Sequence, residues 1–115
     1  DRVLPGAEAL YFDVVLGTGA PVPAGTDPKL GEAWRRMTGL RADVVIEYPD
    51  RWLLLELRSN AGASALGAVL SYLALWREVP PDAREIVGRI VTDFKNDDVV
   101  RSARSVGVEV EAIGA

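Results

Sequence analysis

Residues 42–58 read ADVVIEYPDRWLLLELR, two apolar runs on either side of Pro49-Asp50. Proline presets φ and aspartate bonds to nearby backbone, so this pair turns the chain and the flanking runs predict a β-hairpin. With Pro49 and Asp50 as a two-residue loop, Tyr48 pairs with Arg51 and every later pairing follows, ending with Asp43 opposite Glu56. Side chains alternate along a strand. One face therefore carries Val44, Ile46, Tyr48, Leu53, Leu55 and Leu57. The other carries Asp43, Val45, Glu47, Trp52, Leu54, Glu56 and Arg58. A slip of one residue would exchange the faces and separate Asp43 from Glu56.

Upstream of the hairpin, Ala9 to Leu16 (ALYFDVVL) is rich in aromatic and β-branched residues and predicts a strand. Gly17-Thr18-Gly19 and prolines 21, 23 and 28 mark a loop. Asp27-Pro28 is a good helix start, and the helix is expected to run to Thr38, with Gly39 stopping it. Leu30, Trp34 and Met37 lie at helical spacing and are expected to face the core. Downstream, Ser64 is expected to cap a helix reaching Arg77 that is apolar on nearly every side and so deeply covered. Pro80 and Pro81 end it. Glu85 to Thr92 predicts a strand, and Asn96 caps a short helix with Asp97 and Asp98 in its first turn. Gly107 to Ile113 alternates as a last strand. Residues 1–8 carry little pattern and are expected to form an N-terminal arm or a truncated lead-in, with 9–115 as a single domain. The order β-α-β-β-α-β-α-β predicts an α/β fold: a mixed sheet with flanking helices and at least one parallel pair.

At 115 residues, one hydrophobic core is the default. An apolar content of 49% with 26% charged residues is that of a globular chain. The chain has no cysteine and no histidine, which excludes disulfides, thiol nucleophiles, imidazole bases and zinc fingers. Proton transfer or metal binding is left to Asp, Glu, Lys, Tyr and backbone oxygen. Thirteen basic against 17 acidic residues give a net charge of −4, which excludes a generally basic nucleic-acid coat but leaves room for a local one. Arg35, Arg36 and Arg41 form a modest basic cluster, ordinarily a solvated helix face, that would approach phosphate if the hairpin does. Gly17-Thr18-Gly19 lacks both the spacing and the lysine of a phosphate loop. No apolar run approaches the roughly 18 residues of a membrane span, and no signal peptide is evident. The expected location is the cytoplasm or a virus particle. The sequence opens on Asp1 rather than Met, as a processed chain or part of a longer one would.

The hairpin also carries the candidate chemistry. Like charges directly opposite on a sheet are unfavourable unless compensated, and Asp43 faces Glu56 among Val, Ile and Leu. Within LLLELR, a carboxylate at Glu56 is costly unless it is paired, solvated or bound to a cation. Two converging carboxylates suit a hard cation such as Mg²⁺ or Mn²⁺. Arg58, on the same face, would neutralise the acids or hold a phosphate. The plainer alternatives are a solvated strand end at Asp43, a structural ion pair of Glu56 with Arg58, and core packing for Tyr72 and Trp76.

Asp43, twelve intervening residues and then Glu56-Leu57-Arg58 resemble the core motif of the PD-(D/E)XK nuclease-like superfamily. The resemblance covers residues 42–92, with a helix and a further strand after the hairpin. It implies a restriction-endonuclease-like core in which Asp43 and Glu56 bind a divalent metal. The Leu57 carbonyl would be a further ligand, and Arg58 would stand in the place of the family's lysine. Tyr72 matches a tyrosine of some members, while Ala68 stands where their glutamine would be. Glu32 is a candidate for an acid carried on the first helix. Arginine cannot serve as a base, since its pKa stays above about 12, but it can stabilise charge on a phosphate. The family core opens with a helix and then a strand, whereas this chain predicts a strand and then a helix.

The resemblance implies a Mg²⁺- or Mn²⁺-dependent DNA phosphodiesterase with a degenerate active site. The alternative is a catalytically inactive structural or binding module on the same fold, needing no cofactor, such as a subunit of a DNA-handling or phage assembly. The third is an unrelated α/β domain carrying the motif by accident. Expected partners are DNA and further protein copies or subunits, and no membrane.

Overall fold

The computed structural model describes residues 5–17, 19 and 21–113, the side chains of 36–38 excepted. Among them are strands β1 (Ala9–Leu16), β2 (Leu40–Glu47), β3 (Arg51–Asn60), β4 (Glu85–Phe94) and β5 (Glu109–Ala112), with helices α1 (Pro28–Thr38), α2 (Ala63–Glu78) and α3 (Asp97–Ser105) between them. The strands form one sheet in the order β1-β2-β3-β4-β5. The first three run antiparallel, and β3-β4 and β4-β5 are parallel, linked by α2 and α3 as crossovers. The fold is the mixed α/β sandwich that the element order predicts.

The hairpin has the expected register: Val44 pairs with Leu55, Val45 with Leu54, Ile46 with Leu53 and Glu47 with Trp52. The Tyr48 N–H donates to the Arg51 carbonyl at 2.9 Å and closes the two-residue turn. One hairpin face buries Val44, Ile46, Tyr48, Leu53 and Leu55, with Ala7, Val87 and Val91 against them. The other face packs Val45, Trp52 and Leu54 under Ala65, Val69, Tyr72, Leu73 and Trp76 of α2. Gly88 of β4 sets how closely α2 lies on the sheet. A Cβ there would come within 2.5 Å of Val69 Cγ1 and 3.1 Å of Leu73 Cδ1.

The apparent reversal of strand and helix before the hairpin is resolved by β1, which pairs antiparallel with β2 and makes α1 an excursion within a β1-β2 meander. That placement corrects the expectation for α1. Leu30 is 64% exposed and Trp34 37%, and the Met37 side chain lies outside the described residues. The helix has its expected start, with the Asp27 carboxylate accepting from the Lys29 N–H at 2.9 Å, and Gly39 ends it. It is tied to the loop before it by the Trp34 indole, which donates to the Pro21 carbonyl at 3.1 Å.

The cover over α2 is also less than its composition predicts. Only Ala65, Val69, Tyr72, Leu73 and Trp76 are buried, and Leu70 is more than a third exposed. A helix lying on one sheet meets it along one stripe, however apolar its back. Its N-cap is Gly62 rather than Ser64, with no side-chain cap bond. The last two strands shift slightly, β4 continuing to Phe94 and β5 starting at Glu109. Within the N-terminal arm, Glu8 donates its N–H to the Glu47 carbonyl at 2.7 Å and Ala7 packs on the sheet, so the arm is docked where it is described.

Candidate functional site

The site forms where the alternation of two strands breaks. Asp13 is the one described non-glycine residue with positive φ, at +50°. The pairs Phe12–Val44 and Val14–Ala42 flank Asp13 and Asp43, which lie across from one another. On β2, Ala42 and Val45 both join the α2-side core although they are three residues apart. On β1, Val14 packs against that core and Tyr11 places its ring 6.2 Å from Trp52 on the same side. Strict alternation would send the members of each couple to opposite faces. Both strands therefore turn over by one residue at Asp13 and Asp43.

At this break Asp43 turns toward β3, and its Oδ2 accepts the Leu57 N–H at 2.8 Å. Glu56, the neighbouring residue, is only 3% exposed. Its Oε2 accepts from Arg58 Nε at 2.9 Å and Nη2 at 2.7 Å. Its Oε1 is buried and has no hydrogen-bond partner. Burial pushes the Glu56 carboxyl above its ordinary value. The Arg58 hydrogen bond pulls it down, and the negative charge of Asp43 pushes it up again. Tyr72, buried on α2, is raised first by burial and then by the charges of Glu56 and Asp43, so its hydroxyl lies in the field of the pair. Ala68, partly buried against the same core, offers no polar group.

The arrangement brings Asp43, Glu56, Leu57 and Arg58 together, with Tyr72 beside them. It does not bring in Glu32. That residue lines a cleft of about 260 Å³ with Asp13, Val15 and Arg35, and neither Asp43 nor Glu56 is part of its lining. Among the described residues no three acidic side chains converge on a metal-sized point. Any cation here would be held by two carboxylates and backbone oxygen. Thr18 of the glycine-flanked loop lies outside the described residues.

A second polar cluster, at the turn end of the hairpin, was not apparent from the sequence. Arg84 donates to Glu47 at 2.7 Å, to Asp82 at 2.6 Å and to the Tyr48 carbonyl at 2.6 Å, and it lies 4.6 Å from the Trp52 ring centre. The Trp52 indole donates to Asp82 at 3.1 Å, and the Tyr11 hydroxyl to Glu47 at 3.1 Å. Hydrogen bonds from Arg84 hold Asp82 far below the usual carboxylate range. Every charge here has a partner, so the cluster latches the hairpin to the α2-β4 connection. The sequence signal was weak because residues 11, 47 and 52 of the sheet meet Asp82 and Arg84 of the α2-β4 connection only in the folded chain.

No family model matches the sequence, and no curated protein matches it. Solved structures do. A repair endonuclease from Pyrococcus abyssi superposes with a TM-score of 0.56 at 14% identity, over 90% of this chain and 39% of that one. EndoMS in apo form gives 0.55 at 20% identity, over 89% of this chain and 41% of that one. EndoMS in complex with double-stranded DNA gives 0.55 at 23% identity, over 67% and 32% respectively. The chain spans about a third to two-fifths of the length of these proteins. At such identities the likeness establishes the fold, a restriction-endonuclease-like core.

Proposed function

We propose that this chain is a nuclease-like domain acting on DNA phosphodiesters with a divalent cation, Mg²⁺ or Mn²⁺, held by Asp43, Glu56 and the Leu57 carbonyl. The observation that carries the reading is the buried Glu56 Oε1, which has no partner and lies beside a second carboxylate. Leaving a buried acceptor unpaired costs about 1–3 kcal/mol, and a hard oxygen-seeking cation would remove that cost. The donor set fits such an ion: two acids, a strand carbonyl and no soft ligand. When bound, the cation supplies charge neutralisation at the phosphate and a more acidic water.

The remaining chemistry belongs to the chain. Asp43 is oriented by the Leu57 N–H, which fixes its Oδ2 against β3. Arg58 cannot accept a proton from water, so its role is to hold Glu56 and present a guanidinium to phosphate charge as it develops. Tyr72, raised by its surroundings, stays protonated at neutral pH and acts only through hydrogen bonds.

A second reading is favoured by the Glu56–Arg58 contact at 2.7 Å, which occupies one carboxylate oxygen with an intramolecular partner. On it the same fold serves as a binding or assembly module without catalysis. Incubating supercoiled and linear duplex DNA with the protein and Mg²⁺ or Mn²⁺ separates the two. Metal-dependent nicking that is lost in both Glu56→Gln and Asp43→Asn supports the nuclease. Intact DNA with wild type and variants alike, in either metal, supports the module.

A further inference from the structure

Helix α1 is placed unlike the rest of the molecule. It leaves the sheet after Leu16 and returns at Leu40, three residues before Asp43. Leu30 and Trp34 are exposed, so burial does not account for its position. Instead its Glu32 and Arg35 share a cleft with Val15 and Asp13, the residue lying across from Asp43. The helix therefore stands beside the break in the sheet where the candidate site forms.

The charge of the chain is distributed to match. Residues 28–41 contain four basic residues (Lys29, Arg35, Arg36 and Arg41) and one acid, Glu32. The remainder holds nine basic and sixteen acidic residues. An acidic protein thus concentrates positive charge on one excursion next to its two-carboxylate site. Lys29, Arg35 and Arg41 are exposed. A surface of this kind complements a regularly spaced polyanion and steers it past an otherwise repulsive field.

We propose that α1, with Arg41 at the start of β2, is the phosphate-backbone contact that seats duplex DNA beside Asp43 and Glu56. The proposal rests on the nuclease reading and names the surface that reading would use. The contact is to phosphates, so it fixes position and carries no base specificity. Lys29 and Arg35 contribute on the helix, about one phosphate each.

The test measures binding of a fluorescein-labelled duplex by anisotropy across a KCl series, in Glu56→Gln protein so that the DNA stays intact. Adding Lys29→Gln and Arg35→Gln is expected to weaken binding equally for unrelated sequences. The slope of log affinity against log salt should shrink by about 1.8, roughly 0.9 for each phosphate no longer neutralised. A control pair, Arg101→Gln with Arg104→Gln on α3, changes net charge equally on the helix joining β4 to β5, and is expected to leave the slope unchanged. An unmoved slope in the α1 variant overturns the surface alone, as does an equal change from the α3 pair. A Glu56→Gln parent that binds no duplex overturns the surface and the nuclease reading together.

Discussion

Replacing Glu56 by glutamine is expected to stabilise the metal-free protein. Glu56 is the one buried acidic residue among those described, and its Oε1 is unpartnered. The unpaired acceptor costs about 1–3 kcal/mol. Its ion pair returns about 0–1 kcal/mol, because the Arg58 side chain is more than a third exposed and its charge is screened. Glutamine keeps the shape, removes the charge, still offers an oxygen to Arg58 and puts an N–H donor beside the Asp43 carboxylate in place of the unpaired acceptor. The net gain is about 1 kcal/mol, a rise in Tm of about 3–6 °C for a domain of this size. The pH dependence follows from the direction of the shift. A carboxyl raised by burial binds its proton more tightly in the native state, so its favourable contribution is complete below the ordinary glutamate value and disappears as pH rises through the folded one. The variant's advantage is therefore small in acid and widest at neutral pH. Mn²⁺ reverses the order. At a hundred times its Kd, a native-only ligand adds about 2.7 kcal/mol to the wild type, and little to Glu56→Gln. Thermal melts by circular dichroism, at pH 4 to 8 in EDTA and then across Mn²⁺ concentrations, read all three effects. A variant less stable than wild type in EDTA at pH 7, or one with an equal Mn²⁺ response, refutes the reasoning.

Two further substitutions probe the scaffold that positions the site. Gly88→Ala places a methyl against Val69 and Leu73, and overpacking at this α2-β4 crossing is expected to cost about 1–3 kcal/mol, read as a lowered midpoint in urea. Asp13→Gly should leave stability equal or higher, since glycine adopts φ +50° freely, whereas Asp13→Val should lose about 1–2 kcal/mol. If the turn at Asp13 orients Asp43, the valine variant will also show faster hydrogen exchange at the Leu57 amide, whose acceptor is Asp43.

What the sequence discloses depends on whether a residue's surroundings are local. The hairpin was legible because Pro49-Asp50 fixes the loop length, and loop length fixes the register that sets Asp43 near Glu56. Helix α1 was legible as a helix, since its cap, Asp27, and its stop, Gly39, directly flank it in the sequence. Its orientation was not, because spacing shows that Leu30 and Trp34 share a stripe without showing what the stripe meets. The same reasoning misled for α2, whose composition does not reveal that only one layer lies against it. Asp13 was missed for a different reason. A glycine in the middle of ALYFDVVL would have signalled a left-handed residue, but an aspartate there reads as a solvated strand position.

The balance of charges bears on why such a site would be kept. A structural ion pair on β3 needs one acid for Arg58, and an apolar residue at position 56 would continue the LLL run at no electrostatic cost. Here there are two acids and one guanidinium, and Asp43 makes the burial of Glu56 harder. The hairpin register brings these acids together, and the break at Asp13 accompanies the turn of Asp43 toward β3. Beside this negative site the chain places its one basic excursion on a helix with Leu30 and Trp34 left outside the core. Packing explains neither the second acid nor the exposed Leu30 and Trp34. On the proposed reading, together they serve one ligand pair, a cation between the carboxylates and a phosphate next to it. That coincidence favours a working site over a packing accident.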